Sequence, residues 1–136
     1  MTDFLSALRS YLLAQKAITD LCERRVYAMA LPADEIKYMP RKAVVLVASG
    51  GEFRGSRVTG RPRIDAVCYG ETDFDAAKME RPVAQALKEL QRETYNGVLL
   101  HNATVADGPF QARDPETFWP AMRRQAIIRV DEREVG

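Results

Sequence analysis

One histidine and two cysteines are the most reactive side chains in this sequence. His101 is the only histidine, and Cys22 and Cys68 lie far apart without a CxxC motif. A cysteine nucleophile needs a histidine beside it in space, and neither cysteine has one nearby in the sequence. We therefore expect a structural or surface role for His101 and two buried, free thiols. An enzyme would have to assemble its site from distant residues, such as His101 and Cys22, around a deep pocket.

Two further motifs give only weak support for a binding site. Ser49-Gly50-Gly51 has the glycines of a phosphate loop, but the GxxxxGK[ST] pattern and the following helix are missing. The acidic residues near position 75 complement the dipole of a helix that begins there. They are Glu71, Asp73, Asp75 and Glu80. We predict no cofactor, no metal ion and no enzymatic activity.

A cluster of arginines is the strongest sign of a binding surface. Arg54, Arg57, Arg61 and Arg63 fall within a glycine-rich hairpin. An exposed basic hairpin can bind phosphate groups or an acidic protein surface, and it can also be a solvated loop. The near-neutral total charge weighs against a dedicated nucleic-acid binder.

Three aromatic residues, Phe110, Phe118 and Trp119, mark a second candidate surface. They fall in a segment from Pro109 to Pro120 that follows the turn signal Asp107-Gly108-Pro109. Aromatic side chains on a loop either cover the core or anchor an interface with a partner. The sequence leaves both interpretations open.

Hydrophobic periodicity predicts which elements carry these residues. In chain order they begin with a helix from Thr2 to about Cys22, with a break near Gln15, followed by strands at 25–28 and 42–49. A strand from about Arg57 or Arg63 to Tyr69 comes next, then a helix from Thr72 closed by Asn96-Gly97, and strands at 98–105 and 122–131. Residues 31–40 and 109–120 are predicted loops. Hairpin connections dominate this order. We expect an α+β fold with a small antiparallel or mixed β-sheet and two main helices packed on one face.

Local signals add detail to three elements. The apolar run Ala43–Ala48 is typical of a strand buried on both faces. Gly60 and Pro62 predict a bulge or an edge position at the start of the next strand. Thr72 with Asp75 three residues on is a capping pattern, and Pro82 should kink the helix or begin a new turn.

The composition is that of an ordinary globular protein. The chain has 136 residues, 46% hydrophobic and 29% charged, and 20 basic against 19 acidic residues give a net charge of +1. We expect one domain over residues 1–136. No apolar run approaches the roughly 20 residues of a membrane-spanning helix, and the N-terminus lacks a basic region typical of signal peptides.

Two stretches resemble bacteriophage tail-completion proteins. Residues 12–27, LLAQKAITDLCERRVY, with Leu31-Pro32 and the strand after Pro40, are similar to the opening of that family. Residues 64–70, IDAVCYG, with Thr72 and the segment Val83–Leu87, are similar to its later strand and its V-x-x-A-L helix. The chain differs in having Met39 between Tyr38 and Pro40, and in a long hairpin over 50–62.

This resemblance implies a structural virion protein of a tailed phage or phage-like particle, made in the bacterial cytoplasm. Members of the family and related tail terminators form hexameric rings that end the tail tube and join it to the head-side connector. The implied partners are other copies of the chain, the tail tube protein and the connector or stopper protein, without a membrane or a specific nucleic acid. The alternatives are a head-completion or neck adaptor protein and a small nucleic-acid-binding module using the arginine hairpin.

Overall fold

The sheet of this protein is mixed, and three helical segments pack on one of its faces. The computed structural model describes residues 3–54, 59–113 and 117–132. The helices are α1 Asp3–Leu13, α2 Lys16–Cys22, α3 Ala33–Ile36 and α4 Asp73–Glu89. The strands are β1 Val26–Ala28, β2 Ala43–Arg54, β3 Thr59–Tyr69, β4 Gln91–Tyr95, β5 Val98–Val105, β6 Phe110–Arg113 and β7 Pro120–Glu132.

The strand order is β1-β2-β3-β7-β5-β4, with β6 also paired to β7. β1 is parallel to β2, and the other pairs are antiparallel. The predicted α+β class, with a mixed sheet and two main helices on one face, is therefore confirmed.

The main core lies between the sheet and α1, α2 and α4. Apolar residues of α1 and α4 recur every three or four positions, so each helix turns one stripe toward the sheet. Alternate residues of β2, β3 and β7 meet these stripes, because side chains on a strand point to opposite faces in turn. Fully buried members from the helices and strands include Leu8, Leu12, Met79, Leu87, Leu46, Ile64 and Ile128.

The first half of β2 is buried on both faces, as its apolar run predicts. Val44 and Leu46 join the main core, whereas Val45 joins a smaller cluster on the opposite face with Val67 and Ala121. The strand continues beyond the predicted Ser49 end to Arg54, because its later residues pair with β3. A register shift between Ala48 and Gly51 places the bulge on β2 rather than at Gly60 or Pro62, and β3 is an internal strand between β2 and β7.

α4 begins as the capping pattern predicts and ends earlier than expected. The Thr72 hydroxyl accepts a hydrogen bond of 3.2 Å from the backbone N–H of Asp75, and the helix runs on through Pro82. It stops at Glu89, so the prediction that Asn96-Gly97 closes this helix was wrong. Those residues form the turn between β4 and β5, with φ angles of 52° and 79°. Two consecutive positive φ angles are the requirement of a tight hairpin turn.

Two predicted loops contain short regular elements. α3 lies within 31–40, and β6 lies within 109–120. β5 and β6 both pair with the same edge of β7, β5 with its second half and β6 with its first half. At residues 107–109 the chain therefore leaves the sheet and then continues along the same edge of β7. The turn signal does not mark a reversal of the chain.

Candidate functional site

The face of the sheet opposite α1, α2 and α4 is only partly covered. At one end, the segment 29–41 and Trp119 approach the small cluster of Val45, Val67 and Ala121. At the other end, alternate residues of β3 and β7 are exposed to solvent. We call this exposed part the arginine face, and its members are Arg61, Arg63, Gln125, Ile127 and Arg129.

Strand register brings the residues of the arginine face together. Arg63 pairs with Ile127, which pairs on its other side with Thr104. Arg61 on β3 lies opposite Arg129 on β7, between the pairs Gly60–Val130 and Arg63–Ile127. Within the described ranges, no residue forms an ion pair with any of these three arginines. Their positive charges are thus directed outward around a 38% exposed isoleucine.

Two of the four arginines singled out from the sequence therefore share one surface. Arg54 ends β2 opposite Thr59, and Arg57 lies outside the described residues. Sequence reasoning did not include Arg129 in the set, although the alternation in β7 places it on the same side as Ile127. A depression of about 370 Å³, lined by Arg63, Thr104, Gln125 and Ile127 among others, adjoins these side chains.

A buried carboxylate holds one arginine at the border of this face. Asp65, which is 6% exposed, accepts a hydrogen bond of 3.1 Å from Arg123 Nη1 and one of 3.4 Å from the Ser49 hydroxyl. This places a neutralised pair beside Val67, at the covered end of the sheet. Arg123 is therefore less available to a partner than Arg61, Arg63 or Arg129.

The segment 29–41 is attached to the sheet by a second buried carboxylate. Glu35 accepts two hydrogen bonds of 2.8 Å from Arg41 and one of 3.0 Å from the Tyr27 hydroxyl. Burial of Glu35 opposes its ionisation, but the hydrogen bonds from Arg41 and Tyr27 outweigh that effect and lower the pKa of the carboxyl. The outer surface of this segment carries exposed Met29, Ile36 and Tyr38.

The structure separates the three predicted aromatic contacts. Trp119 is half-buried and meets Tyr69 edge to face, with ring centroids 6.1 Å apart. Phe118 is 66% exposed, and Phe110, at the start of β6, is 48% exposed. Of the two interpretations, covering the core fits Trp119, whereas the exposure of Phe110 and Phe118 leaves them accessible to a partner.

A further exposed phenylalanine follows Asp73, which Arg113 links to the backbone of Phe118. Arg113 donates hydrogen bonds to the Phe118 carbonyl at 3.0 Å and to the Asp73 carboxylate at 3.2 Å. Phe74, next to Asp73, is 82% exposed. We call Phe74, Phe118 and Trp119 the aromatic end. Phe74 does not belong to the apolar stripe of α4. That position in the helical pattern could have predicted from the sequence that its side chain is exposed.

The histidine and the two cysteines do not meet in one cleft. His101 Nε2 is 2.6 Å from Asp131 Oδ2 in a partly exposed position on β5. Cys22 and Cys68 are free and fully buried, and burial raises the pKa of both thiols. The cleft that His101 lines does not include Cys22. Among the described residues, no group of three or more side chains could hold a metal ion, and no helix is long and apolar enough to span a membrane.

Comparison with known proteins identifies the fold. No protein-family model and no curated protein matches this chain. Among solved structures, it is similar to a chain in the virion of a native gene transfer agent particle, with a TM-score of 0.64. The match covers 93% of this chain and 92% of that chain, at 13% sequence identity. At this identity the likeness shows that the two chains share a fold.

Proposed function

We propose that this chain is a non-enzymatic structural protein of a tailed phage or phage-like particle. The observation that supports this proposal is the match in fold, over nearly the whole of both chains, with a chain of a gene transfer agent virion. The resemblance of residues 12–27 and 64–70 to tail-completion proteins points to the same class. We take residues 1–136 as one domain that is made in the host cytoplasm and incorporated in the virion.

Within that class, we assign the chain to tail termination. Copies form a closed ring, taken as a hexamer, that ends the tail tube and joins it to the head-side connector or stopper. A cyclic ring needs two different surfaces on each subunit that fit one another. The arginine face and the aromatic end are two such exposed surfaces at different places on the chain.

The arginine set contacts a protein partner in this proposal. Arg61 and Arg63 are exposed beside Ile127, and the mixture of positive charge with an apolar centre suits an acidic protein surface with apolar residues at its middle. Exposed Phe118 and Phe74 supply the aromatic contacts of the second surface, which half-buried Trp119 borders, and exposed Phe110 on β6 is a further aromatic contact. Neither a membrane nor a sequence-specific nucleic acid is a partner.

Removing the gene from a particle-producing host tests this assignment. We expect headless tails of irregular length by electron microscopy, restored to joined particles when the wild-type chain is supplied. Light scattering behind a sizing column should show assembly toward a hexamer as concentration rises. Particles that are joined and of normal length without the chain would overturn the proposal, and abnormal heads with normal tails would indicate a head-completion or neck adaptor protein instead.

A matched pair of variants tests the arginine contact. The first replaces Arg54, Arg57, Arg61 and Arg63 with Ser, and the control replaces the exposed cations Lys16, Arg24, Lys78 and Arg81 with Ser. Both remove the same charge, and we expect only the first to prevent ring assembly and tail joining. Intact joining with the first variant would exclude the contact. Salt-dependent DNA binding that only this variant loses would support the nucleic-acid module.

A further inference from the structure

A polar cleft lies where α4 ends and β4 begins. Its volume is about 570 Å³, and its lining includes Lys88, Arg92, Arg129 and His101. Three of these side chains carry a permanent or near-permanent positive charge at neutral pH. Glu89 is the one acidic residue of the lining, and its carboxylate accepts a hydrogen bond of 2.7 Å from Gln85. The fixed cations therefore outnumber the anion.

Two irregularities of the backbone form this cleft. His101 is the extra residue of a bulge in β5, where the register with β7 shifts between Leu100 and Asn102. Arg92 has a φ angle of 49°, although it lies within β4. The two residues stand opposite each other, between the pairs Gln91–Asn102 and Glu93–Leu100. Bulges and left-handed residues redirect side chains and often occur next to binding sites.

Neighbouring side chains orient the imidazole of His101 and supply further hydrogen-bond donors to the cleft. Asp131 Oδ2 lies 2.6 Å from His101 Nε2, on the strand that also supplies Arg129. Asn102 and Gln91 line the same cleft with side-chain amides. Arginine presents a planar fork of N–H groups that matches the oxygens of phosphate. Lysine adds a further point charge.

We propose that the β4–β5 cleft, lined by Lys88, Arg92, Arg129 and His101, binds a phosphate group. The three fixed cations exceed the two carboxylates at the cleft, those of Glu89 and Asp131, so a positive charge remains that favours phosphate. The carboxyl end of α4 and the two carboxylates oppose an anion, and the three fixed cations outweigh them. The phosphate comes either from a small free compound or from the backbone of a nucleic acid, without recognition of bases. This inference does not depend on the ring or on tail termination.

Calorimetric titration of the purified protein with pyrophosphate at low salt tests the proposal. The variant Arg92→Gln with Arg129→Gln should bind at least about tenfold more weakly, since two charge-assisted contacts are lost. Arg24→Gln with Lys16→Gln is the matched control, because it also removes two charges and both residues are exposed, with Arg24 just before β1 at the opposite edge of the sheet. Lys88→Gln, on the exposed surface of α4, should weaken binding to a smaller extent and cannot disturb the strand pairing.

Titration with labelled DNA oligonucleotides identifies the source of the phosphate. DNA binding that pyrophosphate displaces, with a salt slope that falls by about two in the double variant, indicates the nucleic-acid backbone. Pyrophosphate binding without DNA binding indicates a small phosphate compound. Absence of pyrophosphate binding, equal weakening by the control Arg24→Gln with Lys16→Gln, or tighter binding of a polyglutamate peptide than of pyrophosphate would overturn the assignment.

Discussion

Arg124 Nε donates a hydrogen bond of 2.7 Å to Glu80 Oε1, and this ion pair joins α4 to β7 inside the protein. The two side chains are only 10% and 4% exposed. Arg124 Nη1 also donates a hydrogen bond of 2.8 Å to the carbonyl oxygen of Ala106, in the connection between β5 and β6. One guanidinium therefore connects α4, β7 and the segment between β5 and β6.

Removing the acidic partner of this pair should destabilise the protein strongly. We expect Glu80→Ala to lower the free energy of unfolding by about 3–5 kcal/mol, because it leaves the charge of Arg124 buried without a counterion. Urea unfolding followed by circular dichroism measures the change. Glu23→Ala is the control, since Glu23 pairs with Arg25 while its own side chain is 84% exposed. That variant should stay within about 0.5 kcal/mol of the wild type, and equal effects of both changes would contradict the prediction.

Glu35 should make stability depend on pH in the acid range. Its pKa is lower in the folded chain than in the unfolded chain, so its contribution is fully present above the unfolded value. That contribution is lost as the pH falls through the lowered pKa of the folded state. We therefore expect the stability difference between the wild type and Glu35→Gln to be constant near neutral pH and to shrink at acid pH, below the ordinary carboxyl value of about 4.3. Urea unfolding at several pH values tests this, and a difference that grows on acidification would contradict it.

Gly70 connects β3 to α4 at a position with no room for a side chain. A Cβ atom there would clash with the backbone nitrogen of Ala76 and lie 2.6 Å from the carbonyl carbon of Asp75. Since backbone atoms at the start of α4 cannot move aside cheaply, we expect Gly70→Ala to cost about 3 kcal/mol. Gly108→Ala separates this clash from simple backbone strain. Gly108 has a φ angle of 70° and open space around it, so its replacement should cost only about 1–2 kcal/mol.

Trp119 and Phe118 are adjacent in sequence and should respond differently to replacement. Trp119→Ala removes the edge-to-face contact with Tyr69 and should cost about 2 kcal/mol, less than a fully buried aromatic residue. Phe118→Ala should change stability by no more than about 0.5 kcal/mol, because the ring is largely exposed. Thermal and urea unfolding compare the two variants. A larger stability loss for Phe118 would mean that it covers the core rather than remaining accessible.

The surfaces follow from the sequence only in part. Alternation along β3 and β7 is readable, since apolar residues occupy every second position toward the helices. This alternation predicts that Arg61 and Arg63 on β3, and Arg129 on β7, point away from the helices. Which strands become neighbours depends on pairing between distant segments, and periodicity carries no information about that choice. The pairing of Arg63 with Ile127 could therefore not be predicted from the sequence and is seen only in the structure.

The hairpin of β4 and β5 shows where local signals are ambiguous. Asn-Gly suits both the end of a helix and a tight hairpin turn, because each requires positive φ angles. Most residues of β4 are exposed, so the strand lacks the alternation that would reveal it. Pairing with β5 decides between the two outcomes. Similarly, β6 is a strand only because β7 supplies its hydrogen-bond partners.

Hydrophobic periodicity alone predicts the elements that bury a continuous apolar pattern, which are α1, α4, the first half of β2, β5 and β7. Burial of apolar surface is strong enough there to select one local conformation. The order of the strands, the arginine face, the aromatic end and the β4–β5 cleft become visible only in the folded chain. These surfaces join exposed residues from distant segments, and solvated side chains impose no periodic pattern on the sequence.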